Sequence, residues 1–66
     1  MADAILSAVQ EAVIRAKCDR AVLGVRATAR QIAVAQGAFG DDAIYEIARA
    51  IMGEAARRGV AMQFTH

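Results

Sequence analysis

The residues of this chain that are able to perform nucleophilic chemistry are few. A hydrolytic site needs a nucleophile, a base and a group that orients the base. The single histidine, His66, is the last residue, and because chain ends are usually frayed it makes a poor base. The candidate nucleophiles are Ser7, Cys18, Thr28 and Thr65.

The single cysteine, Cys18, has apolar neighbours at helical spacing. Ile14 and Val22 lie four residues before and after it, which predicts a small buried side chain. The alternative is a reactive thiol whose ionised form is favoured by Lys17 and Arg20. One Cys and one His cannot supply the four ligands of a structural zinc site. The sequence therefore predicts a protein that is not an enzyme and that needs no metal and no cofactor.

The chain has 66 residues, enough for a single domain, 1–66. A chain this short buries only roughly 60% of its unfolded surface, and without disulfides or metals it commonly gains stability by oligomerising or by docking on a partner. Seventeen residues are alanine, which favours closely packed helices. The net charge of +1 is too small to indicate nucleic-acid binding by itself. The lone thiol and the lack of a leader pattern predict a cytoplasmic protein. The sequence has no run of about 20 apolar residues, so we expect no membrane span.

The clearest element of the sequence is a helix over 42–58. Asp41 or Asp42 is expected to cap its first turn, and Gly59 is expected to end it. Its apolar residues recur at the spacing of one helical face: Ile44, Ile47, Ala48, Ile51, Met52 and Ala55. Its solvent face is expected to carry Tyr45, Glu46, Arg49, Gly53, Glu54, Arg57 and Arg58.

The first half of the chain contains two apolar stripes on opposite helical faces. Either the chain breaks between two helices, or one long helix changes its buried face halfway. A Thr28-x-x-Gln31 capping box and Gly24 favour a break. We therefore expect an all-α domain of three helices, roughly 3–18, 20–36 and 42–58, with a single long helix over the first two as the alternative. The first stripe is Ile5, Leu6, Val9, Ala12, Val13 and Ala16, and the second is Ile14, Cys18, Val22, Val25, Ala29, Ile32 and Ala33.

The last residues alternate as a strand does and predict an extended C-terminal tail. Val60, Met62 and Phe64 are its apolar positions. The tail either lies over the helices with these residues as anchors or pairs with its copy in a dimer. Phe39, between Gly37 and Gly40, is expected to pack onto the core.

One segment matches the pattern of a known DNA-binding motif. Ile32 and Ala33 are followed by Gly37 four residues later, and Gln31–Gly37 resembles the first helix and turn of the helix-turn-helix family. The resemblance implies a second helix with Ile44 and Ile47 buried and its outward face in the major groove.

The same segment departs from that motif. Gln36 stands where the family usually has an apolar residue, and the turn is long. Asp41 and Asp42 open the second helix, where their charges would face phosphates. DNA binding by a dimer is therefore the alternative function.

The surplus of apolar surface favours association over catalysis. We expect a small adaptor or regulator, such as an inhibitor or a regulatory subunit, that forms a homodimer and binds a protein partner. The residues expected to contact the partner are Arg20, Arg26, Arg30, Tyr45 and Arg49. The residues expected to self-associate are Ile14, Val22, Val25, Ile32, Met62 and Phe64.

Overall fold

The computed structural model describes residues 3–38 and 40–63, and within them the chain forms a small all-α fold. The three helices of this part are α1 (Asp3–Asp19), α2 (Val25–Ala35) and α3 (Asp41–Arg58). Two short strands, β1 (Leu23–Gly24) and β2 (Met62–Gln63), precede α2 and follow α3. The expected three-helix class is confirmed. Among these helices none is long and apolar enough to cross a bilayer.

The first helix ends at a left-handed residue, so the alternative of one long helix is wrong. Arg20 has φ 54°, and its N–H donates to the carbonyl of Lys17 at 3.2 Å. The N–H of Ala21 donates to the carbonyl of Ala16 at 3.0 Å. These two bonds form a Schellman motif, which satisfies carbonyls that the helix end would leave free. The second helix therefore starts at Val25 and not at residue 20.

The expected capping box does not operate. Thr28 lies inside α2, and the residue before the helix is Gly24, with φ −78° and ψ 100° and no side-chain cap. At the start of α3 the cap position is Gly40, so neither Asp41 nor Asp42 caps the helix. Both carboxylates instead lie in its first turn, where the positive end of the helix dipole favours them.

Gly59 ends α3 as the sequence predicts, and Gly37 ends α2 in the same way. Gly37 has φ 69° and Gly59 has φ 70°, a backbone region that glycine enters without steric cost. Each is part of a Schellman motif like that of α1. The N–H of Ala38 donates to the carbonyl of Ala33 at 2.8 Å, and the N–H of Val60 donates to the carbonyl of Ala55 at 2.9 Å.

The core lies where α3 packs against both other helices, while α1 and α2 touch each other less. The largest fully buried side chains are Val9 and Val13 from α1 and Ile47 and Ile51 from α3. Ala29 and Ala55 are also fully buried. The other buried apolar residues are Ala16, Leu23, Val25, Ile32, Ala33 and Val60.

The C-terminal tail pairs with the chain's own β1, an arrangement that the sequence pattern does not predict. β1 and β2 run parallel, with Leu23 opposite Met62 and Gly24 opposite Gln63. Val60 is buried and Met62 is half-buried, so the tail also packs down on the helices. Two of the expected apolar contacts, those of Phe39 and Phe64, lie outside the described residues.

Glu54 is buried, which corrects its expected place on the solvent face. It is 6% exposed. Its carboxylate accepts hydrogen bonds from Arg57 Nη2 at 2.9 Å and from Arg58 Nε at 3.1 Å. Two cationic partners on the next turn compensate the loss of water around the carboxylate, so an acid can lie against the core.

Candidate partner-binding groove

The residues expected to contact a partner are exposed but do not share one surface. Arg26 and Tyr45 line the same groove. Arg30 lines a shallow depression on the outer side of α2, and Arg20 lines another where the ends of α1 and α3 meet. Arg49 is exposed on α3. The residues expected to contact a partner are therefore divided among separate surfaces, and Arg26 and Tyr45 are the pair that shares one groove.

We call the concave site the α2–α3 groove. It lies between the start of α2 and the first three turns of α3 and has a volume of about 490 Å³. This is within the ~300–1,000 Å³ typical of binding pockets. Its lining residues are Val25, Arg26, Asp41, Asp42, Ile44, Tyr45, Ala48 and Met52.

The floor of the groove exists because the apolar face of α3 is wider than its neighbours cover. Two rows of residues run along α3 at a spacing of four. The row Ile47, Ile51 and Ala55 is buried in the core. The row Ile44, Ala48 and Met52 is only half-buried and forms the α3 side of the groove.

One aromatic side chain stands at the edge of the groove. Tyr45 is 63% exposed, although it neighbours the half-buried Ile44. An aromatic ring with a polar tip suits a site that is apolar inside and wet at its rim, and tyrosine is enriched at protein interfaces for this reason.

The rim of the groove is charged. Asp41 and Asp42 are exposed in the first turn of α3, and Arg26 is exposed in the first turn of α2. Two carboxylates and one guanidinium give the rim a formal charge of −1. The site therefore combines an apolar floor with a mainly acidic border.

The outer face of α2 is a second exposed surface, which is flatter and more basic. Val34 is exposed there beside Arg30 and Ala35. α2 contains Arg26 and Arg30 and no acidic residue.

Two of the residues expected to self-associate are unavailable to a second copy. Val25 and Ile32 are buried in the chain's own core. The break at Arg20 lets α2 turn independently of α1, so the second apolar stripe does not stay on one surface. Its first part, Ile14 and Val22, is 43% and 60% exposed.

The cysteine of this stripe also lies on the surface. Cys18 is exposed and free, and the expectation that it is buried is wrong. Within residues 3–38 and 40–63, no three His, Cys, Asp or Glu side chains are placed to hold a metal ion. Thr65 and His66 lie outside the described residues, so the structure does not place the candidate base beside a nucleophile.

The sequence supplies Arg26 and Tyr45 as candidates but does not reveal the groove between them. The signal that points to it is the Ile44, Ala48 and Met52 row lying next to the exposed Tyr45. Comparison of the chain with models of protein families, with curated proteins and with solved structures finds no match.

Proposed function

We propose that this protein is a non-enzymatic adaptor that holds a segment of a protein partner in the α2–α3 groove. The observation that supports this proposal is that the α2–α3 groove combines a half-buried apolar floor with an acidic rim. The partner segment fitting such a site has an apolar side chain to fill the floor and a Lys or Arg next to it. Helices that lay an apolar face into a groove are recognised in this way.

The floor supplies the affinity in this proposal. Ile44, Ala48 and Met52 are partly exposed to water, and covering them with a partner's apolar side chain removes that exposure. Tyr45 adds a large ring whose burial costs little conformational entropy. The area is small for a protein interface, so we expect dissociation constants of about 1–100 µM.

The rim supplies the selectivity. Asp41 and Asp42 attract a cation on the partner and repel an acid at the same position. Exposed charge pairs of this kind contribute only about 0.2–1 kcal/mol each, so they select among partners more than they hold them.

Neutralising the acidic rim tests the proposal. The probe is a synthetic amphipathic helical peptide that carries leucine and arginine, and its affinity is measured by calorimetry. Asp41→Asn with Asp42→Asn is expected to weaken binding about tenfold, since two charge pairs are lost. Asp19→Asn, which neutralises an exposed acid at the end of α1, is the matched control and leaves binding unchanged. Equal affinities for the double variant and the control contradict the proposal.

DNA binding is the second candidate, favoured by the arrangement of α2 and α3. Residues 36–40 connect the two helices through the left-handed Gly37. Of the two positions that the helix-turn-helix resemblance requires to be buried, Ile47 is buried and Ile44 is only half-buried. Asp41, Asp42 and Glu46 are exposed on α3, and their negative charges would repel the phosphate backbone.

A binding assay with random duplex DNA at low salt separates the two functions. A DNA-binding protein shows affinity that falls steeply with salt, and reversing the charges of Arg26 and Arg30 abolishes it. The adaptor function predicts no such binding.

A reducing compartment suits either function. Cys18 is an exposed free thiol, and such thiols persist where glutathione and thioredoxin keep them reduced. We therefore place the protein in the cytoplasm.

A further inference from the structure

We propose that a second copy of this chain docks on the outer face of α1, with the two α1 helices antiparallel and crossing at Gln10. The face is separate from the α2–α3 groove, so this inference does not rest on the proposed function. We call it the α1 outer face, and it consists of Asp3, Leu6, Gln10, Ile14 and Lys17.

These five residues share one face of α1, and four of them are exposed. At about 100° per residue their directions fall within roughly 80° of one another around the helix axis. Leu6 is 41% exposed and Ile14 is 43% exposed, while Asp3 and Lys17 are exposed and Gln10 is half-buried. Val9 and Val13 of the same helix are fully buried, and Val13 points only about 20° from Leu6, so the face borders the core on that side.

The face is complementary to itself when one helix is reversed. With Gln10 opposite Gln10 of the second copy, positions whose numbers sum to 20 meet. Leu6 then meets Ile14 of the other copy, and Asp3 meets Lys17. A two-fold axis makes each of these contacts twice, which is the isologous contact that most small homodimers use.

Charge selects the antiparallel register. Asp3 lies in the first turn of α1 and Lys17 in the last. Parallel helices would place Asp3 against Asp3 and Lys17 against Lys17, whereas antiparallel helices make two attractive pairs and align their dipoles favourably. The nearby Glu11 and Arg15 already pair within one chain at 3.8 Å.

The apolar part of the contact is small. Each copy contributes two partly exposed apolar side chains, and interfaces of this size belong to weak, transient complexes. We therefore expect a monomer–dimer equilibrium with a dissociation constant on the order of 100 µM.

A charge-swap experiment tests the register. Sedimentation of the wild-type chain is expected to show a mass that rises with concentration from 7.0 kDa towards twice that value. Asp3→Lys alone and Lys17→Asp alone each place two like-charge pairs in the dimer, and each is expected to weaken self-association about tenfold. An equimolar mixture of the two variants restores both attractive pairs and should dimerise about as well as the wild type.

The mixture is the informative sample, because any destabilisation of α1 by either substitution is still present in it. Recovery of dimer in the mixture therefore reports contact between copies. A wild-type chain that stays monomeric up to about 1 mM, or a mixture no better than either variant, overturns the proposal.

Crosslinking at the two-fold axis is the second measurement. In a Cys18→Ser chain, Gln10→Cys is expected to form an intermolecular disulfide under oxidised glutathione, because the two positions face each other. Gln31→Cys, exposed on α2, is the control and should remain monomeric. Equal crosslinking at the two positions also overturns the proposal.

Discussion

The backbone N–H of Leu23 donates to the carbonyl oxygen of Ala61 at 2.9 Å. This bond joins the segment that precedes α2 to the segment that follows α3. Val25, two residues after Leu23, begins α2 and lines the α2–α3 groove. The parallel pair of β1 and β2 therefore ties the start of α2 to the segment that follows α3.

Removing β2 is expected to destabilise the domain. A chain that ends at Ala61 loses the strand pairing and the half-buried Met62, and its free energy of unfolding in urea should be about 1–2 kcal/mol lower than that of a chain ending at Gln63. The two chains differ only in β2. Equal urea midpoints would show that the pairing contributes nothing.

The same substitution is expected to have opposite effects at Gly53, inside α3, and at Gly59, just after it. Gly53 lies inside the helix with no atom within 4 Å of an added Cβ, so Gly53→Ala should raise stability by about 0.5–1 kcal/mol. Gly59 has equal space but φ +70°, so Gly59→Ala should lower stability by about 1 kcal/mol. Thermal unfolding measures both, and two shifts of the same sign would contradict the assigned backbone conformation.

Arg20 offers the reverse experiment. It holds the left-handed position at the end of α1 with a side chain that disfavours it, at φ 54°. Arg20→Gly relieves about 1–2 kcal/mol of backbone strain in the folded state. Part of this gain is offset because glycine also raises the conformational entropy of the unfolded chain. We expect a net gain of about 0.5 kcal/mol in thermal unfolding, and a loss would show that the arginine side chain stabilises the turn in some other way.

Because Glu54 is buried, replacing its two arginine partners is expected to cost more stability than replacing an arginine that pairs with an exposed acid. Arg57→Ala combined with Arg58→Ala leaves the carboxylate buried without a cation and should cost about 1–3 kcal/mol in urea unfolding. Arg15→Ala breaks the exposed 3.8 Å pair with Glu11 and should cost less than about 0.5 kcal/mol. Adding Glu54→Gln to the double variant should recover part of the loss; no recovery would mean that the arginines act by packing alone.

Neighbouring residues of α3 should separate stability from binding. Ile51 is fully buried, and Ile51→Val should lower stability by about 1 kcal/mol without changing peptide affinity. Met52 lines the groove, and Met52→Ala should weaken peptide binding several-fold. The pair is measured by urea unfolding and calorimetry, and equal effects on affinity would remove Met52 from the binding site.

Local signals predict most of the helical fold. The spacing of apolar residues predicts a helix over 42–58, one residue shorter than α3 (Asp41–Arg58), and Gly59 marks its end as the structure has it. The end of α1 is harder to predict because a non-glycine residue, Arg20, adopts the left-handed turn there. The pairing of Leu23 with Met62 is a contact between distant segments, which residue periodicity does not encode.

Residue periodicity predicts the candidate site only in part, because the site also depends on contacts between distant segments. Exposed arginines and Tyr45 follow from helical spacing. The groove that unites Arg26 with Tyr45 depends on how α2 packs on α3, and the burial of Val25 and Ile32 depends on the turn at Arg20. Both are set by tertiary packing.

Fluorescence of Tyr45 tests the occupancy of the groove most directly. The chain has one tyrosine and no tryptophan, so its emission reports on the rim of the α2–α3 groove alone. Titration with a peptide of leucine and arginine that lacks tyrosine and tryptophan is expected to give a saturable change, and the same peptide with glutamate for arginine should give none. No saturable change with the basic peptide, or an equal change with both peptides, would contradict the proposed function.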